Sequence, residues 1–216
     1  GSIRNGRQVF ASASLDREVV LDPTGVADVI KTYLVANTSH DGSLAISGMI
    51  TPTRVVCANT QAIAMGNYTQ RFTIRHTESA LSRIADARDG MLKLHGWMDA
   101  FEVEAQALIQ TEITKAQFDE IVSRAFPMPE KDAKGSMKKW ETKVDLVQEL
   151  YTAPTNLMIA GTAWGAYQTL TEFTDYYSNP RKGNTENIAI KAMGLDDAHN
   201  AKKSNLLSIV KSVAMA

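Results

Sequence analysis

Between Ala80 and Leu108 the apolar residues fall at Ala80, Ile84, Ala87, Met91, Leu94, Met98, Phe101, Ala105 and Leu108, with gaps of 4, 3, 4, 3, 4, 3, 4 and 3. Only an α-helix turns that spacing into one continuous face. The chain is therefore expected to carry a helix of about 30 residues with its stripe buried against other elements. Thr77 is the expected N-cap, and Glu78 sits in the first turn, where the helix dipole favours a carboxylate. Gly90 and Gly96 each weaken such a helix by about 1 kcal/mol relative to Ala, which points to a close approach or a bend at those positions.

The surface that receives the stripe has to come from upstream. Arg7 to Leu15 alternates, with Val9, Ala11, Ala13 and Leu15 on one side and Phe10, Ser12 and Ser14 on the other. Period two is the signature of a half-buried strand. Asp22-Pro23-Thr24-Gly25 reads as a turn. Ile30, Thr32, Leu34 and Ala36 then alternate against Lys31, Tyr33 and Val35, and a further strand covers Leu44 to Thr51. Pro52 cannot donate to a central ladder, so that strand ends or bulges there. Arg54 to Met65 reads as a short helix, or a strand passing into one, and Arg71 to His76 as a short strand.

Downstream of the long helix the pattern is helical. Thr114-Lys115-Ala116-Gln117 is a capping box opening a helix through about Phe126. Residues 127–135 combine two prolines, a glycine and alternating charge, the best linker in the chain. Met137, Trp140, Val144, Val147 and Tyr151 mark the next helix. Another is expected from about Leu157 to Tyr177, and a last one from Asp196 to Val213. The expected fold is α+β: a small antiparallel meander, one long amphipathic helix, then a helical C-terminal half. Regions 1–126 and 127–216 are read as parts of one continuous domain.

Composition removes several function classes. The formal charge is -1, whereas a non-specific phosphate binder is usually basic, so any nucleic-acid role must rest on a local patch. A single cysteine excludes an internal disulfide framework and suits a reducing cytoplasm. No apolar run approaches the length of a membrane span, and no signal peptide is visible. The chain opens on Gly1-Ser2 without an initiator Met and is expected to be a piece of something longer.

The densest polar cluster is Asn37-Thr38-Ser39-His40-Asp41-Gly42-Ser43. His40 and Asp41, with His76, are the residue types of an acid–base pair or a divalent-metal site. Their spacing matches no standard metal motif, and adjacent turn residues seldom converge. The competing reading is a hairpin turn in which Ser39 and Asp41 bond locally and Gly42 supplies φ > 0. No metal, cofactor or catalytic residue is assigned. Cys57, in an apolar run, reads as a buried small hydrophobe. Arg54, Arg71 and Arg75 lie near strand ends, where with Arg4, Arg7 and Lys31 they are candidates to line a basic groove, since the guanidinium fork binds phosphate bidentately; the competing reading is surface salt bridging with the many acidic neighbours. Tyr33, Tyr68 and Phe72 offer faces for stacking bases. The charged run holding Lys131, Lys134, Lys138, Lys139 and Lys143 is interleaved with Glu130, Asp132, Glu141 and Asp145 and reads as a solvated face, as do Asp196-Asp197 and Lys202-Lys203.

Ser39-His40-Asp41-Gly42-Ser43, Arg54-Val55-Val56-Cys57-Ala58-Asn59-Thr60, Arg75-His76-Thr77 and Gly161-Thr162-Ala163-Trp164-Gly165-Ala166 together resemble the phage/plasmid-like protein family, defined by a domain of unknown function. Asn59 and His76 join the candidate ligand residues on that resemblance, with Asn37, Ser39, His40, Asp41 and Ser43. Where this chain has Ala58 a Gln is commoner, and family members usually carry further residues upstream. The resemblance implies a bacterial host cytoplasm and mobile-element DNA metabolism. A meander leading into one long helix is also similar to Rad52-like single-strand annealing proteins, which implies a homo-oligomer holding single-stranded DNA between sheet and helix. Non-enzymatic binding of single-stranded nucleic acid is the expected function. The alternatives are a His/Asp- or metal-dependent enzyme acting on a small or nucleotide-like substrate, and a structural or host-interaction protein.

Overall fold

The computed structural model describes residues 1–3, 5–22, 24–56, 70–74, 84–130, 134–178, 190, 191, 194 and 196–216. Five antiparallel strands pair in chain order: β1 (Ser2–Ile3), β2 (Gln8–Leu21), β3 (Asp28–Ser39), β4 (Ile46–Arg54) and β5 (Arg71–Ile74). The helices are α1 (Ile84–Gln110), α2 (Lys115–Ala125), α3 (Lys134–Tyr151), α4 (Ala163–Glu172) and α5 (Asp197–Ala214). A sheet first and helices after it is the expected α+β order. The expected N-cap Thr77, and the element read over Arg54 to Met65 from Cys57 on, lie outside the described residues.

β2 runs past Leu15, where the alternation in the sequence ends, because a register shift between Ser14 and Glu18 absorbs the break. Within that irregular stretch Arg17 reaches α1, pairing with Asp99 at 2.7 Å and Glu102 at 3.2 Å. The β2–β3 connection is held by Asp22, at φ 47°. Its carbonyl accepts from Gly25 and Ala27, and its carboxylate accepts from the Val26 amide at 2.9 Å. A Cβ on Gly25 would lie 2.0 Å from that carboxylate.

The α1 stripe lies on the sheet. Leu94, Trp97, Met98, Phe101, Ala105 and Leu108 are all buried. Among the stripe members whose side chains are described, one departs: Met91 is 44% exposed. Gly90 takes the inward position instead. A Cβ there would come within 2.8 Å of Phe72, whose ring also fills the space beside Gly48, 2.5 Å from where a Cβ would stand. Phe72 is thus wedged between β4 and α1 and is not a free stacking face.

α2 opens as expected: the Thr114 hydroxyl accepts from the Gln117 amide while the Gln117 side chain accepts from the Thr114 amide. The helix expected from Leu157 does not start there. Leu157–Ile159 forms a single 3-10 turn, Gly161 takes φ 84°, and Thr162 caps α4 by accepting from the Gly165 amide. A positive φ breaks a helix wherever it falls, so the element divides at Gly161. α4 is buried along its whole length and continues into a wide π-helical turn, Phe173–Tyr177. One apolar cluster joins β2, β3 and β4 to α1, α2, α3, α4 and α5.

Gly90→Ala is expected to destabilise the fold by about 1–3 kcal/mol through overpacking, although Ala is the better helix former. Urea melts of the single variant and of the Gly90→Ala/Phe72→Leu pair check this: the penalty must shrink once the ring is gone.

Candidate functional site

The hairpin turn after β3 is satisfied from within. The Ser39 hydroxyl accepts from the Leu44 amide at 2.8 Å and donates to the Leu44 carbonyl at 3.2 Å. Asp41 accepts from the Ser43 amide at 3.0 Å, and Gly42 takes φ 72°. Bonds from Ser43, first through its hydroxyl and then its amide, hold the Asp41 carboxyl below its ordinary value. Asn37 accepts from the Ser47 hydroxyl, and the Gln8 side chain reaches Ser43 at 3.5 Å. His40 is exposed, its amide donating to the Arg7 carbonyl at 2.9 Å. Asn59, Arg75 and His76 lie outside the described residues.

The sheet-edge groove does not assemble from the described cations. Arg54 is 1% exposed and belongs to the core, which corrects its expected surface position. Its Nε donates to both Asp28 oxygens at 2.8 Å. Its Nη1 donates to the Thr155 carbonyl at 2.6 Å and to Asn156 Oδ1 at 3.1 Å. The Trp164 indole donates to Asp28 Oδ2 at 2.8 Å, and Asn156 Nδ2 to Glu172 Oε2 at 2.8 Å. Arg71 pairs with Asp197 at 3.0 Å and donates to the Gly194 carbonyl at 3.2 Å. Lys31 pairs with Glu18 at 3.4 Å beside half-buried Tyr33. Exposed Arg7 sits beside the Ser39 end of the sheet, whereas Arg54 ends β4 at the other, where Ile30 is its register partner. The nine strand steps from Ser39 to Ile30, about 30 Å, keep the two from sharing one phosphate.

Lysines and aromatics converge elsewhere. A cleft with a volume of about 770 Å³ opens between α3, the end of α2, the π-helical turn and α5. Lys138, Lys139 and Lys143 line it from α3 and Lys202 from α5. Phe126, Phe173 and Tyr177 supply its apolar walls. The volume lies within the range of small-ligand sites. The mixed charge run sorts itself on the helix: Glu141 and Asp145 are absent from the lining, and Thr142 and Leu146 complete the α3 face. Among the described residues none of the four lysines makes an ion pair. Lys143 instead stands over the Phe126 ring, 5.3 Å from its centroid. A second hollow of about 560 Å³, between Glu112–Thr114 and Ala160–Thr162, presents neither a cation nor an aromatic ring among the described residues.

The cleft is built on pinned parts. The Trp140 indole donates to the Phe126 carbonyl at 2.8 Å, and Phe126 meets Phe173 edge-on at 5.3 Å. Behind the π-helical turn, Asp175 ties it to α5, with Lys203 Nζ at 2.7 Å and His199 Nε2 at 2.6 Å. Lys203 is fully buried, which corrects its reading as a solvated charge; its neighbour Lys202 faces the cleft. Asp196 is likewise a cap, accepting from the His199 amide at 3.0 Å. Partial desolvation, then the charges of Lys143 and Lys191, hold the Lys202 amine below the ordinary lysine value.

A family model described as a domain of unknown function, DUF932, matches residues 1–193. The chain belongs to that family. No curated protein and no solved structure matches it. In this DUF932 chain no group of three or more His, Cys, Asp or Glu able to hold a metal occurs among the described residues. No helix there is long and apolar enough to cross a membrane.

Two measurements test the site's electrostatics. Asp28→Asn leaves the buried Arg54 guanidinium without its counter-charge and is expected to cost about 3–5 kcal/mol of stability, read from denaturant midpoints. Lys143→Gln removes a like charge beside Lys202. The ammonium form is then less disfavoured, so the Lys202 titration, followed by NMR of labelled lysine side chains, is expected to move to higher pH.

Proposed function

We propose that this DUF932 domain is a non-enzymatic binder of single-stranded nucleic acid and that the lysine cleft, not the sheet edge, is where it binds. The observation carrying this reading is the convergence of four lysines with Phe126, Phe173 and Tyr177 around one cavity. Phosphates need cations that no protein carboxylate has claimed. Unpaired bases need a flat apolar face, which partly exposed Tyr177 offers at 47% accessibility. A duplex would hide its base faces inside the stack, so the aromatic wall favours a single strand. The near-neutral chain agrees with a small patch of this kind rather than with a long electrostatic track. The resemblance to phage and plasmid proteins supports replication or recombination of a mobile element as the setting.

Binding of a fluorescent single-stranded oligonucleotide is expected to weaken with salt at a log–log slope of about -2 to -3, the value for three to four phosphate contacts. Lys139→Gln should flatten that slope by about 0.7, and Tyr177→Ala should lower affinity roughly tenfold or more by removing a stacking face. Anisotropy titrations between low and moderate salt read both effects. A protein that ignores the oligonucleotide at low salt, or whose variants bind like the parent, contradicts the assignment.

A further inference from the structure

The proposed binding role uses the cleft lysines only as charges, yet their placement equips one of them for chemistry. Lys202 stands on α5 in an apolar-walled cavity, solvent-accessible and opposite Lys143 on α3, with Lys191 also near enough to act on its charge. We propose that Lys202 is a nucleophilic amine that forms an imine with a phosphate-bearing aldehyde held in the cleft.

Three observations support this. First, gathering Lys138, Lys139, Lys143 and Lys202 around one aromatic-walled cavity disfavours a further ammonium charge there and favours the neutral amine, which is the nucleophile. The shift of Lys202 has the direction this requires, with desolvation as its largest cause and the neighbouring cations adding to it. Second, the remaining lysines give the phosphate its seat: Lys138, Lys139 and Lys143 lie on the facing wall and make no ion pair among the described residues. Third, α5 is fixed behind the nucleophile. The adjacent Lys203 is buried and clamped to Asp175 at 2.7 Å, so the backbone carrying Lys202 is held while its own side chain faces the cavity.

The reaction needs no external oxidant or reductant. The Nζ lone pair forms a bond to the carbonyl carbon. The oxygen takes the two amine protons in turn and leaves as water, giving the C=N link, and hydrolysis reverses the step. The chemistry common to possible ligands is an aldehyde a few atoms from a phosphate. Such a group occurs at an abasic deoxyribose within a single strand and in free phosphorylated aldehydes. The first source rests on the nucleic-acid reading above; the second does not.

The two sources are separated by trapping with cyanoborohydride, which reduces an imine to a stable amine, followed by peptide mapping. One arm uses a single-stranded oligonucleotide with one abasic site, and the other uses pyridoxal 5′-phosphate as a small phosphorylated aromatic aldehyde. The expected result is labelling at Lys202 at least about tenfold above that of an exposed lysine such as Lys115. The Lys202→Arg variant should lose the adduct, and Lys143→Gln should shift the pH profile of trapping upward. Trapping of both probes at Lys202 supports the proposal with the strand as a ligand source. Trapping of pyridoxal phosphate alone, by a chain that does not bind oligonucleotides, supports the nucleophile and removes the nucleic-acid reading. Salt-dependent oligonucleotide binding with no Lys202 adduct in either arm overturns the nucleophile and leaves the binding role standing. Labelling spread evenly over exposed lysines also overturns it.

Discussion

A guanidinium and a carboxylate, both almost wholly removed from water, hold the sheet to the helices. Asp28 opens β3 and Arg54 closes β4, so the pair sits where two strands end together. Neither charge survives burial alone, because desolvation of an isolated ion far exceeds any packing gain. Every further bond in the network therefore matters. Trp164 adds a donor to Asp28. The Thr155 carbonyl and Asn156 add acceptors for Arg54, and Asn156 passes the chain on to Glu172. The irregular segment between α3 and α4 is thus fixed by side chains from the sheet, and α4 inherits its position. Since the π-helical turn follows α4 directly, one wall of the lysine cleft depends on a salt bridge at the far end of β4.

The elements that could be read in the chain are those whose causes are local. The capping box at Thr114 lies within four residues and formed, and the α1 stripe, set by the helical repeat, formed from Leu94 to Leu108. Met91 fails because a period of 3.6 drifts against alternating gaps of 3 and 4. By the first turns of α1 the inward position has moved to Gly90, and Phe72 needs that space. The false start at Leu157 has a local cause too. Gly161-Thr162 is a stop followed by a cap, but the apolar run on both sides of it obscured the signal.

Arg54 misled for the opposite reason. An arginine at a strand end resembles a ligand contact as long as its partners are unknown. Those partners are 26, 101 and 102 residues away. No spacing rule reaches that far. The lysine cleft was hidden by sequence order in a different way. Lys138, Lys139 and Lys143 alternate with Glu141 and Asp145 along the chain, and alternation normally means a solvated face. The helix separates them: turns of 3.6 residues put the three lysines with Thr142 and Leu146 on the cleft side. Plotting α3 on a helical wheel would have shown this. What lies opposite, Lys202 and the aromatic walls, required the fold.

Adjacent Lys202 and Lys203 show how the cleft persists. Gathering Lys138, Lys139, Lys143 and Lys202 around one cavity sets like charges against each other, and Lys191 adds to the charge acting on Lys202. One residue further along, Lys203 turns into the core and meets Asp175, a carboxylate that the π-helical turn carries inward while Phe173 and Tyr177 line the cavity. Buried attraction on one side of α5 therefore holds together a surface whose other side repels. The two effects differ in strength because the Asp175–Lys203 pair is shielded from solvent, whereas the cleft lysines are partly screened by water and salt. On the proposed binding role, an anion entering the cleft would relieve that repulsion. Charge arranged before a ligand arrives lowers the cost of binding at the proposed site.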